Sequence, residues 1–158
     1  MLKGRSLWQL PIPKTCSWSW KKLLQLRDVA KTFFRFQVGD GSKIFLWHDH
    51  WHPAGYLCDH FGFRVIYDSG FHTNVKLSSI IFNGDWFWQG VRSEALVEIQ
   101  SKLPGIQIGG EDTPLWLSKK GTFSCAETWD RMRKKLLEVS WWKLVWFSLA
   151  IPKHSFLC

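Results

Sequence analysis

The sequence predicts an α+β fold of two small modules, each a β-hairpin packed with helices. Apolar residues flank the tight turn Gly39-Asp40-Gly41, with Phe34, Phe36 and Val38 before it and Ile44, Leu46 and Trp47 after it. This is a hairpin pattern, because glycine accepts the positive φ that such a turn demands. A second arrangement of this kind, 115–117 and 122–123 across Lys119-Lys120-Gly121, runs into Ser124-x-x-Glu127, a capping box that opens a helix. Between the two, GIQIGGED at 105–112 has the composition of a linker, so the expected organisation is 1–104, a joint at 105–114, and 115–158.

Taken in order, residues 1–17 are irregular, since Pro11 and Pro13 lack the backbone donor a helix needs. Ser17 or Ser19 caps a helix over 20–33 that buries Trp20, Leu23, Leu24, Leu26, Ala30 and Phe33 and turns Lys21, Lys22, Arg27 and Lys31 elsewhere. The first hairpin follows. Residues 53–75 are loop-like, with a short strand at 63–67. Asn83-Gly84-Asp85 is a turn, and a helix over 92–102 carries Leu96, Ile99 and Leu103 inward before Pro104-Gly105 stops it. The helix after Ser124 places Trp129, Met132 and Leu136 inward and Arg131, Lys134 and Lys135 outward; a further helix over 141–149 is apolar nearly all round.

The chain of 158 residues has a formal charge of +8, unevenly placed: 1–36 carry eight Lys/Arg against Asp28 alone, 37–114 carry five against nine acids, and 115–158 carry eight against three. Basic ends around an acidic middle suit contact with a polyanion such as RNA or DNA, through Lys21, Lys22, Arg27 and Lys31 and through Arg131, Arg133, Lys134 and Lys135. The twelve Trp residues are costly to expose and are read chiefly as core. Cys16, Cys58, Cys125 and Cys158 form no CxxC pair, so no zinc ribbon is written and a reducing, intracellular (nuclear or cytoplasmic) setting is expected. The start, MLKGRSLWQL, is too polar for a secretory h-region and the most apolar run, 141–151, is too short to span a bilayer, so neither a secretory leader nor a membrane partner is expected.

His48, His50 and His52 are the candidate metal ligands, because alternate residues of an extended strand share a face and imidazole suits zinc. Trp47 and Trp51 take the other face, which makes that face the core and the His face the solvent side. No metal or cofactor is therefore expected, and Gly39, Asp40, Gly41, Trp47, Asp49, Trp51 and Trp129 are assigned structural roles. No nucleophile elbow, paired Cys and His or phosphate-cradling loop is present, so the chain is not expected to be an enzyme or to take a small-molecule substrate.

Four stretches, WSWKKLLQLRD, FRFQVGDGSKIFLWHDHWHPAGYL, DTPLWLSKKGTFSCAETWD and WWKLVWFSLAIPKHSF, together resemble the C-terminal region of plant LINE-type (non-LTR) retrotransposon polyproteins. In that family this region follows the reverse transcriptase and leads into the reverse-transcriptase zinc-binding domain. The resemblance implies that 1–104 corresponds to the segment between the two, and 115–158 to the start of the zinc-binding domain, truncated before its ligands. The family's Tyr-x-Asp-Asp loop and Cys-x-x-Cys are absent, so no catalytic or metal residue carries over. The expectation is a non-catalytic polyprotein fragment contacting nucleic acid through basic helices. The alternatives are a stand-alone basic nucleic-acid-binding module, a decayed reading frame without molecular function, and, more remotely, a metal-dependent hydrolase built on the His run.

Overall fold

A computed structural model describes residues 4–88, 93–118, 121–133 and 140. It is an α+β fold: short helices and two antiparallel two-stranded sheets. The chain divides into two compact units, Met1–Phe123 and Ser124–Cys158.

In the first unit, a short 3-10 turn at Leu7–Gln9 precedes α1 (Trp18–Gln25) and α2 (Arg27–Lys31). Ser17 is the cap: its hydroxyl accepts the Trp20 N–H at 3.3 Å, satisfying a donor that the first helical turn leaves unpaired. The continuous helix expected over 20–33 is thus two helices meeting at Leu26. At this joint Arg27 turns back, its Nε donating to the Leu24 carbonyl and its Nη1 to the carbonyls of Leu7 and Leu10. Of the residues expected inward, Leu24 and Phe33 are buried and Trp20 and Ala30 half-buried, whereas Leu23 and Leu26 are exposed.

Strand β1 (Phe34–Gln37) forms where the alternating apolar pattern places it, but the hairpin around Gly39-Asp40-Gly41 does not. The partner of β1 is β4 (Thr113–Trp116), antiparallel, with Phe34 opposite Trp116 and Gln37 opposite Thr113. Residues after the turn instead bond to a distant segment: the Leu46 N–H reaches the Val75 carbonyl (3.1 Å), and the Leu77 N–H reaches the Ile44 carbonyl (2.9 Å). The carboxylate of Asp112 sets this arrangement. It is buried and accepts the N–H groups of Gly39 (2.8 Å), Gly41 (2.9 Å) and Lys43 (2.8 Å), wrapping the loop around itself instead of letting it close on its own strands.

Both glycines are required here. A Cβ on Gly39 would lie 2.2 Å from the Glu111 backbone; one on Gly41, at φ +75°, would lie 2.6 Å from the Ser78 nitrogen. Asp40 closes the turn from outside, accepting the Ser42 N–H (3.0 Å) and hydroxyl (2.8 Å), and these bonds hold its carboxyl below the usual range.

Residues 53–75 are more ordered than expected. Helix α3 (Leu57–Phe61) and helix α4 (Arg64–Ser69) occupy them, and the strand expected at 63–67 is helical because Val65 and Ile66, adjacent residues, both reach the core. Strands β2 (Ile81–Phe82) and β3 (Asp85–Trp86) make a true hairpin whose turn residues, Asn83 (φ 51°) and Gly84 (φ 83°), both take positive φ. Helix α5 (Glu94–Ser101) buries Leu96 and Ile99 and is followed by the 3-10 turn Leu103–Gly105, with Leu103 buried. One core cluster joins Ile44, Leu46, Trp47, Trp51, Leu57, Leu77, Ile80 and these α5 residues.

The linker expected at 105–114 is a correction. Asp112 and β4 tie this stretch to β1 within the first unit, and the division between units falls at Phe123/Ser124. The second hairpin is likewise replaced by the β1–β4 pairing; Lys119 and Lys120 lie outside the described residues.

In the second unit, α6 (Cys125–Met132) starts at Ser124, whose hydroxyl accepts the Glu127 N–H (3.4 Å) as the capping box requires. Trp129 (65% exposed) and Met132 (46%) face outward rather than inward as expected. Leu136 and the helix expected over 141–149 lie outside the described residues.

Candidate functional site

The His run departs from its expected geometry at its root. Residues 44–52 are not a strand: the Asp49 N–H closes on the Phe45 carbonyl (3.1 Å), and the Asp49 carboxylate accepts the Phe45 N–H in return (2.7 Å). Alternation therefore does not apply. Trp47 and Trp51 are fully buried, and the expected solvated His face is absent, because His48 and His52 are buried as well and His50 is half-buried.

The three rings have separate partners. His48 Nε2 sits beside the Gln9 amide (2.5 Å) and the Thr73 carbonyl (3.1 Å). His50 Nδ1 donates to the Phe34 carbonyl (3.0 Å), while the His50 carbonyl accepts the Phe36 N–H (2.6 Å), so this residue covers the free edge of β1. His52 Nε2 donates to the Ile99 carbonyl (3.2 Å), and its Nδ1 accepts the Ala54 N–H (3.1 Å). Among the described residues no group of three or more His, Cys, Asp or Glu side chains is placed to hold a metal ion.

Burial lowers the pKa of His48, His50 and His52 alike. For His52 desolvation is the largest cause, and the neutral ring is the form whose Nδ1 accepts the Ala54 N–H. The sign of the pH dependence follows. The unfolded chain takes up protons near the ordinary value of 6.5, before the folded rings do. The stability from these neutral rings is thus complete above that value and is lost as the pH falls through it toward the lowered folded values. Melting temperature, followed by circular dichroism, is expected to drop between pH 7.5 and 5.5; a flat profile would show that these rings ionise as easily folded as unfolded.

Asp49 anchors the N-terminal segment to this core. Its buried carboxylate accepts the Ser6 hydroxyl (3.2 Å) as well as the Phe45 N–H, and burial raises its pKa. A cavity of about 210 Å³ is lined by Trp8, Lys31, His48, Cys58 and Asp59 among others. Its chemistry is quenched: Lys31 is held by Asp59 at 2.6 Å, and burial pushes the Cys58 thiol up to about 11, leaving it protonated and unreactive near neutral pH.

The expected basic surface is smaller than the charge count suggests. Arg27 is engaged with three carbonyls, and Lys31 with Asp59 and the Tyr56 ring (4.9 Å from its centroid). Arg133 pairs with Asp130 (2.7 Å), and Arg131 is exposed on α6. Lys134 and Lys135 lie outside the described residues. Lys21 and Lys22 are exposed on α1, and no carboxylate among the described residues pairs with them. Next to them stands Trp18, 74% exposed. Composition alone reads this tryptophan as core, although its i, i+3, i+4 spacing from Lys21 and Lys22 places it on their face.

No family model, curated protein or solved structure matches the chain. No helix among the described residues is long and apolar enough to cross a membrane.

Proposed function

We propose that the chain is a non-catalytic segment of a LINE-type retrotransposon reverse-transcriptase polyprotein, and that it contacts nucleic acid through the exposed lysines of α1. The observation that carries this is the division of labour between motif and surface. In FRFQVGDGSKIFLWHDHWHPAGYL, one of the four stretches that carry the resemblance, the G-D-G-x-x-I-x-x-W-x-D-x-W residues other than exposed Asp40 point into the fold: Gly39 and Gly41 wrap Asp112, Trp47 and Trp51 fill the core, and Asp49 holds Ser6. A pattern of this kind specifies a scaffold. Lys21 and Lys22 remain turned to solvent, where cations can neutralise phosphates.

Fluorescence anisotropy of labelled single-stranded RNA, titrated with protein at two salt concentrations, tests the contact. Binding is expected to be sequence-independent and to weaken steeply with salt, each phosphate contact adding about −0.7 to the slope of log K against log salt. A primer-extension assay with Mg²⁺ or Mn²⁺ accompanies it, with no extension expected. A folded protein that binds no RNA at low salt would leave a structural remnant, and template-dependent extension by homogeneous protein would overturn the non-catalytic assignment.

A further inference from the structure

We infer that α1 is a stacking platform for single-stranded nucleic acid, with Trp18 receiving an unpaired base and Lys21 and Lys22 holding the adjacent phosphates. This rests on the nucleic-acid reading above and adds to it the strandedness of the partner and the residue that selects it. The argument begins with the helix itself. Residues 18, 21, 22 and 25 recur at i, i+3, i+4 and i+7, so Trp18, Lys21, Lys22 and Gln25 form one face of α1, and all four are exposed. The opposite face carries buried Leu24 and half-buried Trp20. An amphipathic helix would ordinarily place its largest apolar side chain toward the core. Here Trp20 takes that position, and Trp18, two residues earlier, stands on the charged side.

The surroundings of this ring fit a polyanion better than an apolar partner. The Lys22 ammonium lies 5.8 Å from the Trp18 ring centroid, so a cation already borders the aromatic surface. No carboxylate among the described residues is paired with Lys21 or Lys22, and Asp28 is the sole acid in residues 1–36. Neighbours at i+3 and i+4 stand about 5–6 Å apart at Cβ, close enough for one nucleotide to place its base on the ring and its phosphates by the two ammonium groups. A base paired within a duplex offers no free face for such stacking, so single strands are preferred. Because every base has a π-face, the contact is indifferent to sequence.

The test uses the full chain and a fluorescein-labelled 12-nucleotide oligouridylate, beside a duplex of equal length and vesicles containing phosphatidylserine. Trp18→Ala is expected to weaken oligouridylate binding at least about fivefold while leaving the salt slope unchanged, because it removes stacking and no charge. Trp18→Phe is expected to restore most of the loss. Lys21→Ala with Lys22→Ala is expected to flatten the slope by about 1.4. The exposure of Trp18 means its variants should melt with the wild type, which excludes misfolding as the cause. If Trp18→Ala binds as tightly as wild type while the double lysine variant is impaired, the contact is with phosphates alone and the stacking role is refuted with the nucleic-acid reading intact. If wild type binds neither oligonucleotide, both fall together. Partition onto anionic vesicles that depends on Trp18, without oligonucleotide binding, would make the partner a membrane and overturn the inference.

Discussion

Asp112→Ala is expected to destabilise the first unit by about 3–5 kcal/mol, among the largest effects any single surface-distant charge in this chain should show. The carboxylate is buried and accepts N–H groups from Gly39, Gly41 and Lys43 at 2.8–2.9 Å. Truncation leaves these donors facing inward without partners, and each buried orphan costs about 1–3 kcal/mol. Total stability of a domain is about 5–15 kcal/mol, so the loss brings the unit close to unfolding. Asp112→Asn keeps one oxygen for the two glycine amides and sets its NH₂ against the Lys43 N–H, so a loss of about 1–3 kcal/mol is expected there. Asp40→Ala is the control: that carboxylate is exposed and accepts the Ser42 N–H and hydroxyl, so little should change. Urea titration followed by tryptophan fluorescence measures all of them. An Asp112→Ala midpoint equal to wild type would mean that the loop is held by something other than this carboxylate.

Asp112 also marks where the sequence stops being legible. Local chemistry is readable: the Ser17 and Ser124 caps, the Asn83-Gly84 turn and the inward face of α5 all depend on residues within a few positions of one another, whereas Trp47 and Trp51 are buried by distant segments, against Trp88 and Trp86. The failures share one cause. Phe34–Gln37 and Ile44–Trp47 look like a hairpin because each is apolar and a G-D-G turn lies between, yet the decisive partner of that turn is seventy-odd positions away and sits in a glycine-rich stretch that reads as linker. A single acid after Gly-Gly-Glu carries no periodic signal. The His run failed for a related reason. Alternation requires a strand that the Phe45–Asp49 turn abolishes, and without it the three rings find the carbonyls of Thr73, Phe34 and Ile99 instead. In the candidate interface the lysines were legible as charge, but not which of them would be engaged. Arg27 and Lys31 share a sequence context with Lys21 and Lys22, and only the tertiary positions of Leu7, Leu10 and Asp59 separate the two pairs.

Trp51→Ala is expected to cost about 3–5 kcal/mol, the range for deleting a buried aromatic ring, and to unfold the first unit if its stability is marginal. The ring is fully buried; its Nε1–H donates to the Leu46 carbonyl at 2.8 Å, and its face stacks on Trp86 with centroids 5.6 Å apart and planes at 26°. The substitution therefore removes a packing volume, an aromatic pair and the partner of a buried carbonyl in one step. Trp51→Phe separates these contributions. It preserves much of the packing and the possibility of stacking but not the donor, so a smaller loss of about 1–3 kcal/mol is expected, most of it from the Leu46 carbonyl. Trp18→Ala is the matching exposed control, since a residue 74% exposed should shift stability by no more than about 0.5 kcal/mol. The contrast between the two tryptophans is the informative quantity, because it sets one that builds the fold against one that the fold displays. Equal denaturation midpoints for Trp51→Ala and wild type would place that ring at the surface and remove the core on which the arrangement of β1, the His run and α5 depends.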